Sequence, residues 1–182
     1  MELIQMPREI DNQNNQLVEQ FLRERFDATL DRQVRRYVRA KVHKIIPVDF
    51  YSAALGECQE MYVAGSFFGC ITLCQSVAEG LSRFLAEKNT VPIRNGFICR
   101  ITRLKNARVI SESTAKAFKS VFGEDRNDFH HLNKNVEQDY ETLEARSLQC
   151  LDALYAVRSE VFAYDIHDGR ISAKNVKYWS SS

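Results

Sequence analysis

From Gln16 to Ile46 apolar residues return every three or four positions: Leu17, Phe21, Leu22, Phe26, Leu30, Val34, Tyr37, Val38, Val42 and Ile45. That period predicts a long helix with an apolar stripe. Pro47 stops it, because proline cannot donate to the helical ladder. Asp49 is a candidate N-cap for a second helix running to about Val63, and Gly65-Ser66 marks a tight connection. Phe67 to Lys88 is the most apolar segment, with Gly69, Ala78, Gly80 and Ser82 set among large apolar residues. A helix apolar on most sides belongs at the centre of a bundle.

A loop containing Pro92 runs from Asn89 to Gly96, followed by shorter predicted helices over Phe97 to Val109 and Ser113 to Val121. Gly123-Glu124-Asp125 punctuates the chain, and Glu137 to about Tyr164 reads as a long closing helix. Asp168-Gly169 is a turn signal, after which the chain is either a short extended piece or disordered. The whole pattern predicts an all-α, up-and-down helical bundle of four to five core helices with a long N-terminal helix. It divides into residues 1–48 (an N-terminal arm and basic helix), residues 49–165 (the bundle) and residues 166–182 (a C-terminal tail).

Composition sharpens this picture only in places. Seven Gly and three Pro in 182 residues are few and favour long helices over a turn-rich β fold. A net charge of +1 gives no overall nucleic-acid signature, so any basic surface is local. Met1 to Asn15 is polar and unlike a secretory signal, and no apolar run approaches the ~20 residues of a membrane span. The five cysteines sit among apolar neighbours, which leads us to expect reduced core thiols and a cytoplasmic address. Cys70 and Cys74 share a helical face, but no supporting His or Cys follows, so packing is the preferred reading over metal. Asp165, His167 and Asp168 surround a glycine turn that turn chemistry explains. Phosphate-loop, dinucleotide and H-E-x-x-H motifs are all missing from the sequence, so no metal or cofactor is expected.

The chemistry-bearing stretch is Arg126-Asn127-Asp128-Phe129-His130-His131. It combines a permanent cation that grips phosphate oxygens through a planar fork with an imidazole able to exchange a proton near neutrality. An amide lies beside them. A metal-free site acting on a phosphodiester would need these groups.

A buried central helix, a helical connection and an R-N-x-x-x-H motif before a long final helix resemble the HEPN superfamily, over roughly Asp49 to Tyr164. The resemblance implies a metal-independent endoribonuclease in which two domains pair to form a composite cleft. The RNA 2′-hydroxyl would attack the adjacent phosphorus, giving a 2′,3′-cyclic phosphate and a 5′-hydroxyl. Arg126 would stabilise phosphoryl charge, His131 would act as general base or acid, and Asn127 would orient the pair. His130 leaves too short a spacing for the catalytic role and is a supporting residue. The resemblance also implies an RNA substrate, a homodimer, an inhibitory partner protein, and a role in toxin–antitoxin or antiviral defence. Non-catalytic members that bind a protein, nucleotide or RNA are the alternative. The tyrosine that some HEPN toxins carry two positions after the histidine is Asn133 here, so control by modification at that position is not expected.

Two further features bear on this reading. Glu79 is the only acid between Gly65 and Leu85 and matches the polar residue that HEPN proteins often carry on an earlier helix. It either supports Arg126 from inside the bundle or lies at the surface paired with Arg83. Arg94, Arg100, Arg103, Lys105 and Arg108 form a basic run with no intervening acid and are the RNA-binding candidates. Glu19 to Lys44 carries eight basic and four acidic residues, which reads as a solvated face. Glu124, Asp125 and Asp128 flank Arg126 and weaken attraction for RNA.

Overall fold

A computed structural model describes residues 8–40, 50–93, 96–123 and 139–179, with Phe129 and Asn133 between the last two segments. For residues 8–13 and 50 only the backbone is described. The fold is mostly helical: α1 (Arg8–Arg39), α2 (Phe50–Ala64), α3 (Phe67–Lys88), α4 (Phe97–Asn106), α5 (Glu112–Phe122) and α6 (Tyr140–Val161). A hairpin of β1 (Tyr164–His167) and β2 (Arg170–Ala173) and a short 3-10 turn (Val176–Tyr178) follow. No described helix is long and apolar enough to cross a membrane.

Helix α3 is the centre, as its composition predicts. Cys70, Ile71, Cys74, Ala78, Leu81 and Leu85 are all buried, and α2, α4, α5 and α6 pack around them. Phe97 of α4 stacks face to face on Phe122 of α5 at 3.5 Å between centroids. Two polar side chains that enter this core find partners there, one on its own helix and one across the bundle. Ser147 Oγ donates to the Leu143 carbonyl at 2.7 Å, and the Tyr155 hydroxyl donates to Gln59 Oε1 at 2.6 Å. Burial raises the Tyr155 pKa to about 12, with Cys58 and Cys74 adding to the shift.

The helix ends show why the elements stop where they do. α2 ends at Gly65, whose φ of +85° lets the Gly65 amide reach the Tyr62 carbonyl and the Ser66 amide reach that of Met61. α4 ends three residues before the predicted Val109. Arg108 takes a left-handed φ of +56°, and the Arg108 and Val109 amides fold back on the Lys105 and Leu104 carbonyls at 2.9 Å each. This is the same capping motif built without glycine, a substitution that periodicity alone does not reveal. α5 begins at Ser111, whose hydroxyl accepts from the Thr114 amide at 3.1 Å.

The C-terminal stretch takes the extended form. Asp168 and Gly169 both have positive φ, as a two-residue hairpin turn requires, and Ile166 pairs with Ile171. The chain then returns to the bundle. Tyr178 is buried against Phe84, and Asn175 caps α6 through the Glu160 and Val161 carbonyls.

Helix α1 docks in an unexpected way. Its apolar stripe faces solvent, with Val18 56% and Val38 70% exposed, while Thr29, Gln33, Arg36 and Ala40 face the bundle. Arg36 is 4% exposed. Its guanidinium lies 4.9 Å from the Phe67 ring centroid and 5.5 Å from that of Tyr140. It donates to the Tyr140 hydroxyl at 2.7 Å and meets Glu144 at 3.4 Å. One side chain thus joins α1 to the start of α3, the start of α6 and the end of α2, where it reaches the Val63 carbonyl at 3.4 Å.

Two measurements test this construction. A Cβ at Gly65 would lie 2.7 Å from the Tyr140 hydroxyl and 2.8 Å from Arg36, whereas one at Gly169 meets nothing within 4 Å. Urea denaturation should show Gly65→Ala destabilised by about 2–3 kcal/mol and Gly169→Ala by only about 1 kcal/mol, the backbone cost alone. The second concerns Glu160 on α6, which accepts from the Ser111 amide and the Thr114 hydroxyl at 2.7 Å each, and from the Ser111 hydroxyl. Burial pushes its pKa up, but the hydrogen bonds from Ser111 and Thr114 together outweigh it, so the net shift is downward. A depressed carboxylate pKa adds stability above the unfolded value, and that stability is lost as pH falls through the folded one. The wild-type advantage over Glu160→Gln should be constant from pH 7 to 5 and close between about pH 4.5 and 3, by about 0.5 kcal/mol after solvent screening.

Candidate functional site

The motif segment enters from α5, which ends at Gly123, and leaves into α6, whose N-cap Asp139 accepts from the Thr142 amide at 2.8 Å. Arg126, Asn127, His130 and His131 lie outside the described residues. Phe129, in the middle of the motif, is described. It is 4% exposed and meets Phe68 of α3 edge to face at 5.4 Å. The one apolar residue of an otherwise polar hexapeptide therefore belongs to the core. Asn133 is exposed.

Glu79 lies on α3 with its side chain 25% exposed. Its Oε1 accepts from Arg83 at 2.7 Å, the i, i+4 pair that the surface reading expects. Arg100 of α4 adds a second cation 3.8 Å away. A pairing of Glu79 with Arg126 involves a residue outside the described set.

The basic run on α4 divides by helical period. Arg94 lies outside the described residues. Arg100 points inward and is 3% exposed, with Nε donating to Ser82 Oγ at 2.9 Å. Burial lowers its pKa from the ordinary arginine value and the Glu79 charge pushes back. A cation in this position cannot meet a nucleic-acid backbone, so Arg100 leaves the set of RNA-binding candidates. Its neighbours Phe97, Ile101 and Leu104 share the buried face, which is the signal that places it there.

Lys105 is also partly spoken for. It pairs with Glu112 at 3.1 Å, and the hydrogen bond and charge of Lys105 hold the Glu112 carboxyl below its usual range. The apparent absence of an offsetting acid therefore ends at the next helix, which supplies one. Arg103 is half-buried and donates to the Pro92 carbonyl at 3.4 Å, and Arg108 is exposed. Arg103, Lys105 and Arg108 remain as the solvent-reaching cations of the run.

An open groove of about 760 Å³ flanks both ends of the motif segment, touching Ser120 at the end of α5 and Glu141 at the start of α6. Among the described residues along it, Glu141 and Asp152 add to Glu144, which Arg36 and Arg39 engage, so this described lining is acidic on balance. Tyr62 contributes a buried hydroxyl, and burial followed by the Glu144 charge raises its pKa, keeping it a neutral phenol. The Arg36 clamp beside this groove was not legible in the sequence, because nothing in a helix of seven arginines marks one of them as buried.

Four cysteines (Cys58, Cys70, Cys74 and Cys150) are buried and Cys99 is exposed, so the expectation of core thiols fails at Cys99 alone. Hydrogen bonds with Cys58 and Cys70, together with burial, push the Cys74 thiol well up. That holds it protonated and poor as a nucleophile. Among the described residues no group of three or more His, Cys, Asp or Glu is placed to hold a metal ion.

Arg100→Ala should destabilise the protein by about 2 kcal/mol, because it removes a buried partner of Ser82 and Glu79. Arg108→Ala should change stability by less than about 0.5 kcal/mol. Urea unfolding of the two variants checks the assignment of one cation to the core and one to the surface.

In comparisons with known proteins, no family model matches the chain, and no curated protein or solved structure matches it.

Proposed function

We propose that the protein is a metal-independent endoribonuclease of the HEPN type. The observation that carries the reading is the Arg126, Asn127, His131 motif set between two helices of an all-α bundle. Phe129, seated on Phe68, supports it by tying that segment to the central helix. In the proposed reaction the RNA 2′-hydroxyl attacks the adjacent phosphorus and the 5′-oxygen leaves. His131 of one copy takes the 2′ proton, and the second copy's equivalent histidine gives a proton to the leaving oxygen. Arg126 stabilises the charge that develops on the phosphoryl oxygens, and Asn127 orients the pair. Under this reading the protein is a cytoplasmic homodimer with a composite cleft, restrained by an inhibitory partner, and acts in toxin–antitoxin or antiviral defence.

A specific observation favours the second reading, a non-catalytic HEPN module that binds a protein, nucleotide or RNA. Arg100 is internal, Lys105 is paired, and the groove beside the motif segment is acidic. Among the described residues, those features weaken the positive field available to a long RNA substrate.

The deciding experiment is cleavage of a mixed RNA pool by purified protein in excess EDTA, beside folded Arg126→Ala and His131→Ala. The nuclease reading expects cyclic-phosphate ends from the parent and a loss of at least about 100-fold in each variant. Silence of the parent on several RNAs gives the protein to the binding-module reading, and cleavage that survives His131→Ala removes the motif from the mechanism.

A further inference from the structure

Val18, Leu22, Phe26, Leu30, Val34 and Val38 form one row on α1 at four-residue spacing, each between 40% and 70% exposed. Four residues overshoot a helical turn by about 40°, so the row winds through about 200° from end to end. A flat bilayer cannot meet such a row along its length. The protein's own bundle does not cover it either, since α1 docks through Thr29, Gln33, Arg36 and Ala40. A row of this kind is the i±4 ridge of a helix, and two such ridges interlock when helices cross at about −50°, the commonest class of helix contact.

We propose that the partner is a second copy of this chain, with the two α1 helices crossing antiparallel about a two-fold axis near Ala28. Reversal about position 28 sets Phe26 against Leu30 and Leu22 against Val34, so the central members of the row meet apolar mates, while Val18 and Val38, each turned about 100° from the crossing point, lie at its margins. Charge selects this direction. The shallow groove around Val18, Leu22 and Phe26 is rimmed by Glu19 and Asp27, and Arg23 there is already held by Glu19 at 2.6 Å. The groove around Val34, Val38 and Tyr140 is rimmed by Arg32, Arg35 and Arg39, with Glu144 engaged by Arg36 and Arg39 and Glu141 on the far side.

Residues 8–24 carry two arginines against four carboxylates, and residues 25–39 carry five arginines against two. An antiparallel crossing places the acidic half of one copy on the basic half of the other, whereas a parallel crossing sets arginine on arginine.

The inference does not rest on the nuclease reading, and its test needs no activity. Sedimentation equilibrium of the full chain at micromolar concentration should give the dimer mass. Leu22→Glu with Val34→Glu, both at exposed positions, should give the monomer mass with unchanged helical circular dichroism. In a Cys99→Ser background, chains carrying Leu22→Cys and chains carrying Val34→Cys should join through a short bismaleimide when mixed, and neither should join to itself. A monomeric parent overturns the proposal. So do a dimer indifferent to the two glutamates, cross-linking of Leu22→Cys to itself, and a monomer that sediments with phosphatidylserine-containing vesicles.

Discussion

Helix α3 leaves only Ser76, Arg83, Glu87 and Lys88 exposed, and the rest of the bundle covers its apolar faces. An isolated helix of such composition is insoluble, and one covered on a single side leaves apolar surface in contact with solvent. α2, α4, α5 and α6 answer that requirement from different directions. Small side chains on α3 let the neighbours come close, and the buried Ser82 hydroxyl is satisfied by donating to the Glu79 carbonyl at 2.8 Å while accepting from Arg100. The charged cluster of Glu79, Arg83 and Arg100 is a product of this closure. Arg100 enters the core because its helix face does, and a carboxylate within reach limits the cost.

The same logic runs in reverse at α1. A helix normally hides its apolar stripe and shows its charges, but here the docking face is polar and one buried guanidinium holds it. The arrangement is favourable because Arg36 finds two aromatic faces, a phenolic oxygen and a carboxylate in one place. Arginine suits the position where lysine would not, since a flat, weakly hydrated cation can lie on a ring and donate at its edges together. The consequence is a row of apolar residues left without a cover inside the monomer.

Between α5 and α6 the described part of the motif segment meets the bundle through Phe129. A phenyl ring supplies neither proton transfer nor phosphate recognition, and Phe129 instead packs against Phe68 of the central helix. On the proposed reading, a site on a connecting segment gains precision from an anchor of this kind. The acidic groove at the segment's ends and the internal place of Arg100 matter to the same question, since the local field decides whether a phosphodiester approaches.

The helical class, the central role of Phe67–Lys88 and the Asp168-Gly169 turn were determined by the sequence itself. Each depends on local physics: period, all-round apolarity, or two residues able to take positive φ. The Glu79–Arg83 pair was legible for the same reason, as an i, i+4 contact on one helix. What only the tertiary structure decided involves partners far apart in the chain. Arg36 meets Tyr140 and Glu144 across more than a hundred residues, and Arg100 meets Ser82 across eighteen. Glu112 neutralises Lys105 from the following helix. In the sequence these arginines are identical to their exposed neighbours, because charge type is written in the chain but desolvation is not. Whether a cation reaches solvent depends on which helices close over it, and that is settled when the core packs.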